Sequence, residues 1–373
     1  MMQAWLWVLL GFIAFWAAAY ALGRRSSGPL RVYPLLLVYR VGYERGPIRE
    51  RKKALAARAY GVLSVPLAVA SAALFYYVSL TLFVGRYVVQ SPAASQEGFV
   101  PLIPGVTVGL GELIYFLIAI GVAVMAHELS HAVVSRATGV PLKSAGFVLL
   151  AFIPAAFVEP EEEAMKSAPL RSKLMIYSAG VAANLALGLA FMYAISLVLP
   201  ALANGVTIVG VSPSSPAYRA GLVPGMTIIA VNGAPVYTVA QGLQELIRAG
   251  AEGPGPANVT LTVYLRGVVE NITVFKPAGY DRLGISVVQS FRLPWLAGLL
   301  TSMYVVNMGL ALVNAAPLAI PFPGLGVETD GGQMLREAAA RLGRTWKGLA
   351  SALELATLVL LLSLITIAPI HLP

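Results

Sequence analysis

The sequence contains no cysteine and only three histidines among 373 residues, and charged side chains make up only 12% of it. The absence of cysteine excludes disulfides, thiolate metal ligands and cysteine nucleophiles. The scarcity of charge, beside a hydrophobic fraction of 58%, excludes an ordinary soluble domain. The composition therefore predicts a membrane protein, in which each ionisable side chain within an apolar stretch is a candidate functional residue.

Uncharged stretches long enough to cross a bilayer, which takes about 20 apolar residues, recur along the chain. We predict six spans, at about 3–22, 60–85, 113–135, 174–200, 294–317 and 349–370. An alternative for the first span is a cleaved signal peptide, although it lacks a basic leading region and runs directly into Arg24 and Arg25.

Basic residues beside the spans predict their orientation. Residues 24–58 contain ten Lys or Arg but only Glu44 and Glu50 as acids, which indicates a cytoplasmic loop and an external N-terminus. The net charge of +9 is then explained by topology and by contact with anionic lipid of the bilayer. No nucleic-acid partner is expected.

Residues 203–290 differ from the rest, because apolar residues alternate in segments such as VTIVGV and NVTLTVYL, between turn-formers such as SPSSP and GPGP. This pattern predicts an inserted β-rich domain on the extracytoplasmic side. Its run SSPAYRAGLVPGMTIIAVNGAPV resembles a PDZ domain. The resemblance implies binding of a peptide C-terminus at a sheet edge, at Leu283, Gly284 and Ile285 of RLGIS. The alternative is a spacer that only restricts access.

The segment AHELSHA, residues 126–132, begins at the last residue of LIYFLIAIGVAVMA, a run of fourteen residues without a charge. On a helix, His127 and His131 share one face and Glu128 lies beside them. This H-E-x-x-H pattern is typical of a Zn²⁺ site in which two imidazoles, a third ligand and a water complete a tetrahedron, and the glutamate transfers protons. The alternative is a hydrogen-bonded polar cluster that holds helices together.

The third ligand must come from elsewhere, and Asp330 in ETDGGQML is the candidate, with Glu328 in reserve. Segment 314–327 is uncharged but too rich in proline and glycine for a plain helix. Irregular backbone within a membrane is tolerated only where it packs against protein or lines a water-filled cavity. The alternative for Asp330 is a helix cap. Because His127 lies roughly 20 Å along its helix from Leu113, the metal is expected inside the membrane, toward its cytoplasmic side.

The order of these features resembles the site-2 protease family of intramembrane zinc metalloproteases: HELSH, then residues 146–184, then the PDZ-like insert, then Asn, Pro and Asp-Gly elements. The resemblance implies zinc ligation by His127, His131 and Asp330, and acid/base catalysis by Glu128. It also implies substrate binding by a loop with Asn314 and Pro317, and by the edge of a hairpin within residues 143–158. Gly180 and Asn184 match the family's G-x-x-x-N signature, for which helix packing is an equally good explanation.

The expected fold is a mainly α polytopic membrane protein with about six transmembrane helices, an inserted PDZ-like domain and a membrane-associated β-hairpin. Its regions are residues 1–202, 203–290 and 291–373. The expected function is intramembrane zinc proteolysis of transmembrane protein substrates in a plasma membrane. The alternatives are an anchored zinc peptidase for soluble or unfolded proteins, a metal transporter, and a PDZ scaffold without enzyme activity.

Overall fold

The computed structural model describes residues 2–23, 28–48, 50–91, 97–103, 106–109, 111–322 and 325–367. They form two compact units, one of residues up to 190 and from 302, the other of residues 191–301. The helices are α1 (Met2–Gly23), α2 (Arg51–Phe83), α3 (Leu113–Ala137), α4 (Glu162–Ser167), α5 (Leu170–Leu202), α6 (Pro216–Arg219), α7 (Val239–Arg248), α8 (Pro294–Ala315), α9 (Asp330–Leu342) and α10 (Arg344–Ser363). The strands are β1 (Leu30–Tyr33), β2 (Leu36–Arg45), β3 (Leu142–Leu150), β4 (Ile153–Pro160), β5 (Ala203–Val211), β6 (Thr227–Val231), β7 (Ala234–Pro235), β8 (Ala257–Leu265), β9 (Val268–Lys276), β10 (Ile285–Phe291), β11 (Ala319–Phe322) and β12 (Leu325–Glu328).

Within the described residues, five helices are long and apolar enough to cross a membrane: α2 with its π-helical continuation Val84–Val88, α3, α5, α8 and α10. Five of the six predicted spans therefore have suitable length and composition. The apolar part of α1, Leu10–Gly23, is shorter than the other five, so the predicted span at about 3–22 stays a prediction. Trp16 of α1 is buried and its Nε1 donates to the Ala151 carbonyl at 3.0 Å.

Helices α2 and α5 approach closely because small residues lie between them. A Cβ on Gly61 would lie 2.8 Å from Met175 Cε. The buried hydroxyls of Ser64 and Ser178 are 2.6 Å apart and share a hydrogen bond. Small residues and hydroxyl pairs are typical of helix interfaces in lipid, where apolar side chains gain little from leaving the bilayer.

The first unit also contains an antiparallel sheet in the order β1-β2-β3-β4. Strands β3 and β4 form the predicted hairpin, joined by a two-residue turn in which Ala151 has a φ of 56°. Strands β1 and β2 were missed by the sequence analysis, which treated residues 24–58 only as a basic loop. The alternation in LRVYPLLLVYRV could have indicated them. Strand β4 is an edge strand and packs beside α3.

The segment between α8 and α9 is the short antiparallel hairpin β11-β12. Beyond the end of α8, the described part of segment 314–327 is therefore non-helical, as predicted, although residues 319–322 and 325–327 are paired strands and not irregular backbone.

The second unit contains an antiparallel sheet in the order β10-β5-β6-β8-β9, with β7 paired to β6. Its core includes Ile208, Val231, Leu261 and Val274, which are all buried. The predicted β-rich domain is therefore confirmed as a sheet domain, whereas its PDZ identity stays a prediction.

Candidate metal centre

Helix α3 places His127 and His131 one turn apart on the same face, with ring centroids separated by 4.6 Å. Asp330 is the first residue of α9. Its Oδ2 lies 3.1 Å from His127 Nε2 and 3.5 Å from His131 Nε2. The three potential ligand atoms all lie within 4.8 Å of one another. Two histidines one helical turn apart and an aspartate about 200 residues further along the chain thus converge on one point.

The donor set fits a zinc ion. With metal–ligand bonds of about 2.0–2.2 Å, a tetrahedral ion separates neighbouring ligand atoms by about 3.3 Å, close to the two distances to Asp330. Asp330 Oδ2 is buried and lacks a hydrogen-bond partner among the described residues. A buried carboxylate oxygen without a partner is costly, and a cation held by the three side chains would remove this cost.

The second nitrogen of each imidazole differs in its surroundings. His131 Nδ1 lies 2.7 Å from the Ile176 carbonyl. A proton on Nδ1 leaves the Nε2 lone pair directed toward Asp330, which is the arrangement usual for a ligating histidine. His127 Nδ1 is buried without a partner in the part of the chain that the structure describes.

Gly180 of α5 lies directly against the imidazoles. A Cβ at this position would be 2.6 Å from both His127 Nε2 and His131 Nε2, so any side chain would occupy the space between the ligand atoms. Tyr60 donates to the neighbouring Ala179 carbonyl at 2.6 Å and so ties α5 to α2 at this level. Gly180 therefore leaves room for the site, in addition to allowing close helix packing.

Asn184, one turn further along α5, is fully buried. Both polar atoms of its amide lack partners among the described residues.

The sequence Thr-Asp-Gly-Gly positions Asp330. Thr329 is the N-cap of α9: its Oγ1 accepts from Gly332 N at 3.2 Å and donates to the Ala316 carbonyl at 2.6 Å. A Cβ on Gly331 would lie 1.9 Å from the Ala315 carbonyl oxygen, so only glycine lets α9 begin against the end of α8. The cap is thus Thr329, and the Asp330 carboxylate remains directed at the histidines.

The reserve candidate, Glu328, does not join the histidines in the described structure. Its carboxylate pairs with Arg336 of α9. The same guanidinium binds Glu354 of α10 through Nε–Oε1 at 2.7 Å and Nη2–Oε2 at 2.9 Å. Glu354 is only 4% exposed and therefore faces protein. These contacts join α9 to α10.

Glu128 lies beside the three converging residues and its Oε2 accepts a hydrogen bond from the Val158 N–H of β4 at 2.9 Å. Together with the histidines and Asp330, it lines a central cavity of about 670 Å³. Asn314 lines this cavity as well. Pro317, three residues beyond Asn314, is buried and is not among the described residues that line the cavity.

A second cavity of about 590 Å³ has an almost wholly apolar lining, contributed by α3, β4, α8, α10, residues 99–102 and Val108. Val124 and Leu310 line both cavities, so the apolar cavity adjoins the central one.

The three predicted peptide-binding residues lie in the second unit. The Leu283 carbonyl accepts from Ala217 N at 3.0 Å, and the Gly284 carbonyl accepts from Ser212 N at 2.8 Å. Ile285 begins the edge strand β10. The loop is therefore held by its carbonyls beside an open sheet edge.

Sequence reasoning missed Val158 and underrated Gly180. The spacing of Gly180 within G-x-x-x-N was an available signal, whereas Val158 contacts Glu128 through its main chain and has no signature in the sequence.

Comparison with known proteins identifies a curated relative and a protein family. A curated relative, the membrane-bound transcription factor site-2 protease homolog of Arabidopsis thaliana, is 26% identical over 171 residues. That match covers 44% of this chain and only 33% of the relative. The sequence profile of peptidase family M50 matches residues 115–365, which is more than half of the chain and contains both histidines and Asp330. The protein therefore belongs to peptidase family M50.

Proposed function

We propose that the protein is a zinc metalloendopeptidase that hydrolyses peptide bonds within or near transmembrane segments of other membrane proteins. One observation carries the proposal: His127, His131 and Asp330 converge in a bundle of apolar helices, beside Glu128 and a cavity of about 670 Å³. A structural polar cluster would use its buried polar atoms internally, but among the described residues His127 Nδ1 has no hydrogen-bond partner, and the two imidazole Nε2 atoms near Asp330 Oδ2 do not reach it with hydrogen-bond geometry.

The residues divide into ligands and a proton carrier. His127, His131 and Asp330 would hold the zinc, which polarises the scissile carbonyl and lowers the pKa of a water to about 7. Glu128 accepts a proton from the attacking water and delivers it to the leaving amine. Asn314, on the wall of the same cavity, is placed to bind the main chain of the substrate.

A transmembrane substrate must unwind before attack, because its carbonyls are engaged in helical hydrogen bonds. The apolar cavity next to the central cavity suits the side chains of a spanning segment. The edge of β4 suits the unwound main chain, which can add a strand to a sheet edge. Substrates should therefore contain weak helix formers near the cleaved bond.

The remaining assignments concern topology and the second unit. We place the protein in a plasma membrane because of its resemblance to the site-2 protease family. The distribution of basic residues supports an orientation with the metal centre toward the cytoplasmic side and the second unit outside. The edge strand β10 and the Leu283-Gly284 loop fit capture of a peptide C-terminus. Restriction of substrate access is the alternative for this unit.

The test is incubation of the purified protein with a panel of single-span substrates, with and without a zinc chelator, followed by mass spectrometry of fragments. Cleavage within the spans that stops with chelator supports the proposal. Preference for unfolded soluble protein would favour an anchored peptidase. Zinc flux in proteoliposomes without any cleavage would favour a transporter, and either result would overturn intramembrane proteolysis.

A further inference from the structure

The open edge of β4 carries few hydrogen-bond donors. Because a two-residue turn joins β3 and β4, Leu150 and Ile153 form a hydrogen-bonded pair, and such pairs alternate along the hairpin. The residues Pro154, Ala156 and Val158 therefore direct their main-chain groups away from β3.

Proline has no N–H, and the strand ends at a second proline, Pro160. Between the two prolines the outward donors are the N–H groups of Ala156 and Val158. The Ala156 N–H faces the same edge, because Ala156 and Phe147 form one of the pairs that are not hydrogen-bonded to each other. The Val158 N–H donates to Glu128 Oε2 at 2.9 Å.

Glu128 thus occupies a position that a docked strand would need. A peptide pairing with β4 would present a carbonyl oxygen to each outward N–H, because strand addition repeats the ladder of the sheet. At Val158 that carbonyl and the Glu128 carboxylate require the same donor, and one main-chain N–H makes one good hydrogen bond.

We propose that the Val158 N–H is a positioning group shared between Glu128 and the substrate: it holds the carboxylate in the free protein and releases it when an extended peptide pairs with β4. The inference rests on the proposed function and deepens it. Substrate docking and release of the proton carrier become one event, so Glu128 is freed only when a strand lies along β4.

The first experiment observes the Val158 N–H directly, without substrate or turnover. Labelling full-length protein in nanodiscs with ¹⁵N-valine and carbonyl-¹³C-phenylalanine selects four Phe-Val amides, at 83–84, 99–100, 147–148 and 157–158. The signal that V158A removes is that of Val158. In E128A this signal should shift, and its exchange with D₂O should accelerate by about tenfold, the equivalent of a hydrogen bond to a charged group.

The matched control is E159Q, which alters the carboxylate of the residue that follows Val158 in β4. Glu159 Oε2 accepts from Ser144 Oγ at 2.6 Å and has no bond to Val158, so its loss should leave the Val158 signal in place. An unchanged Val158 signal in E128A would overturn the proposal.

The second experiment measures competition, using a fluorescent hexapeptide of alternating valine and threonine and chelator-treated protein. E128A should bind the peptide about tenfold more tightly than the native protein, because its Val158 N–H is vacant. V158P should bind it more weakly, and adding E128A to V158P should restore nothing. Equal binding by native protein and E128A, a gain that survives in V158P, or no binding by any of them would overturn the proposal.

Neither experiment depends on hydrolysis, so the two proposals fail separately. Absence of cleavage in the substrate panel would remove the protease but leave a measured Glu128–Val158 bond. If V158P does not fold, the amide signal and the affinity of E128A still decide the question.

Discussion

Both units of the protein bury ionisable side chains, and one such group in each unit shows two different ways in which a buried group is completed. Lys276 of the second unit is fully buried, and its ammonium has three donor hydrogens. All three are used by main-chain carbonyls, those of Gly253 and Gly255 at 2.5 Å and that of Tyr280 at 2.8 Å. Nothing is left over for a ligand.

The histidines and Asp330 of the first unit are the opposite case. Asp330 Oδ2 and His127 Nδ1 are buried without hydrogen-bond partners among the described residues. A buried charged group whose hydrogen bonds are all made within the protein only joins chain segments. Buried polar atoms that converge without hydrogen-bond partners indicate a binding site. Substitutions at the two groups should therefore have different effects on metal binding and on stability.

The largest expected effect is loss of metal in D330A. Removing a direct ligand should lower zinc affinity by well over the roughly 10–100-fold that loss of a supporting contact costs. Zinc content of purified protein, measured by elemental analysis, checks this. The control is E328A, which removes a carboxylate that pairs with Arg336 and should retain the metal. Full occupancy in D330A would move the third ligand elsewhere.

E128Q should keep the metal and lose hydrolysis. The amide cannot accept the proton of water, and loss of a general base typically costs about 10²–10⁴-fold in rate. Cleavage of a membrane-embedded reporter and zinc content are measured on the same preparation. A variant that still cleaves the reporter at the native rate would contradict the role of Glu128.

G180A should weaken zinc binding by at least about tenfold, since its Cβ would lie 2.6 Å from both Nε2 atoms and would displace imidazoles that need close placement. Competition with a chelator measures the affinity. G121A is the matched control, because it adds the same methyl group to a membrane helix at a position with no atom within 4 Å. Equal affinities for the two variants would mean that the imidazoles adapt freely.

K276M should have the smallest effect, and it should change the stability of the protein and not its zinc content. Three carbonyls lose their donor, so the free energy of unfolding of the second unit should fall by about 3 kcal/mol. Thermal melting should therefore begin earlier while zinc content stays unchanged. K166M, on a lysine that is largely exposed, provides the control. Loss of zinc in K276M would show that the two buried groups are not independent.

The sequence reveals those parts of the site that have a period or a composition. The helical period brings His127 and His131 together, and a charge-poor span makes their presence conspicuous. The sequence suggests Asp330 as a ligand because Asp-Gly-Gly follows a span. The choice of Asp330 over Glu328 depends on the Thr329 cap and on the pairing of Glu328 with Arg336. Such contacts are tertiary and leave no local pattern.

The five long helices follow from hydropathy, since lipid imposes length and composition together. The sheet of the first unit was harder to predict, because β1 and β2 lie in a segment whose basic residues dominated the interpretation. The Val158 N–H could not be predicted at all, because any residue other than proline supplies an N–H.

The two prolines of β4 also bear on how the protein behaves when crowded among its own copies. An unpaired strand edge is a template for any extended chain, and long, regular edges lead to intermolecular sheets. With Pro154 and Pro160 at its ends, β4 offers only a short run of donors. Another chain can therefore pair with β4 over a few residues, but the edge does not offer the continuous row of donors that an extended intermolecular sheet needs.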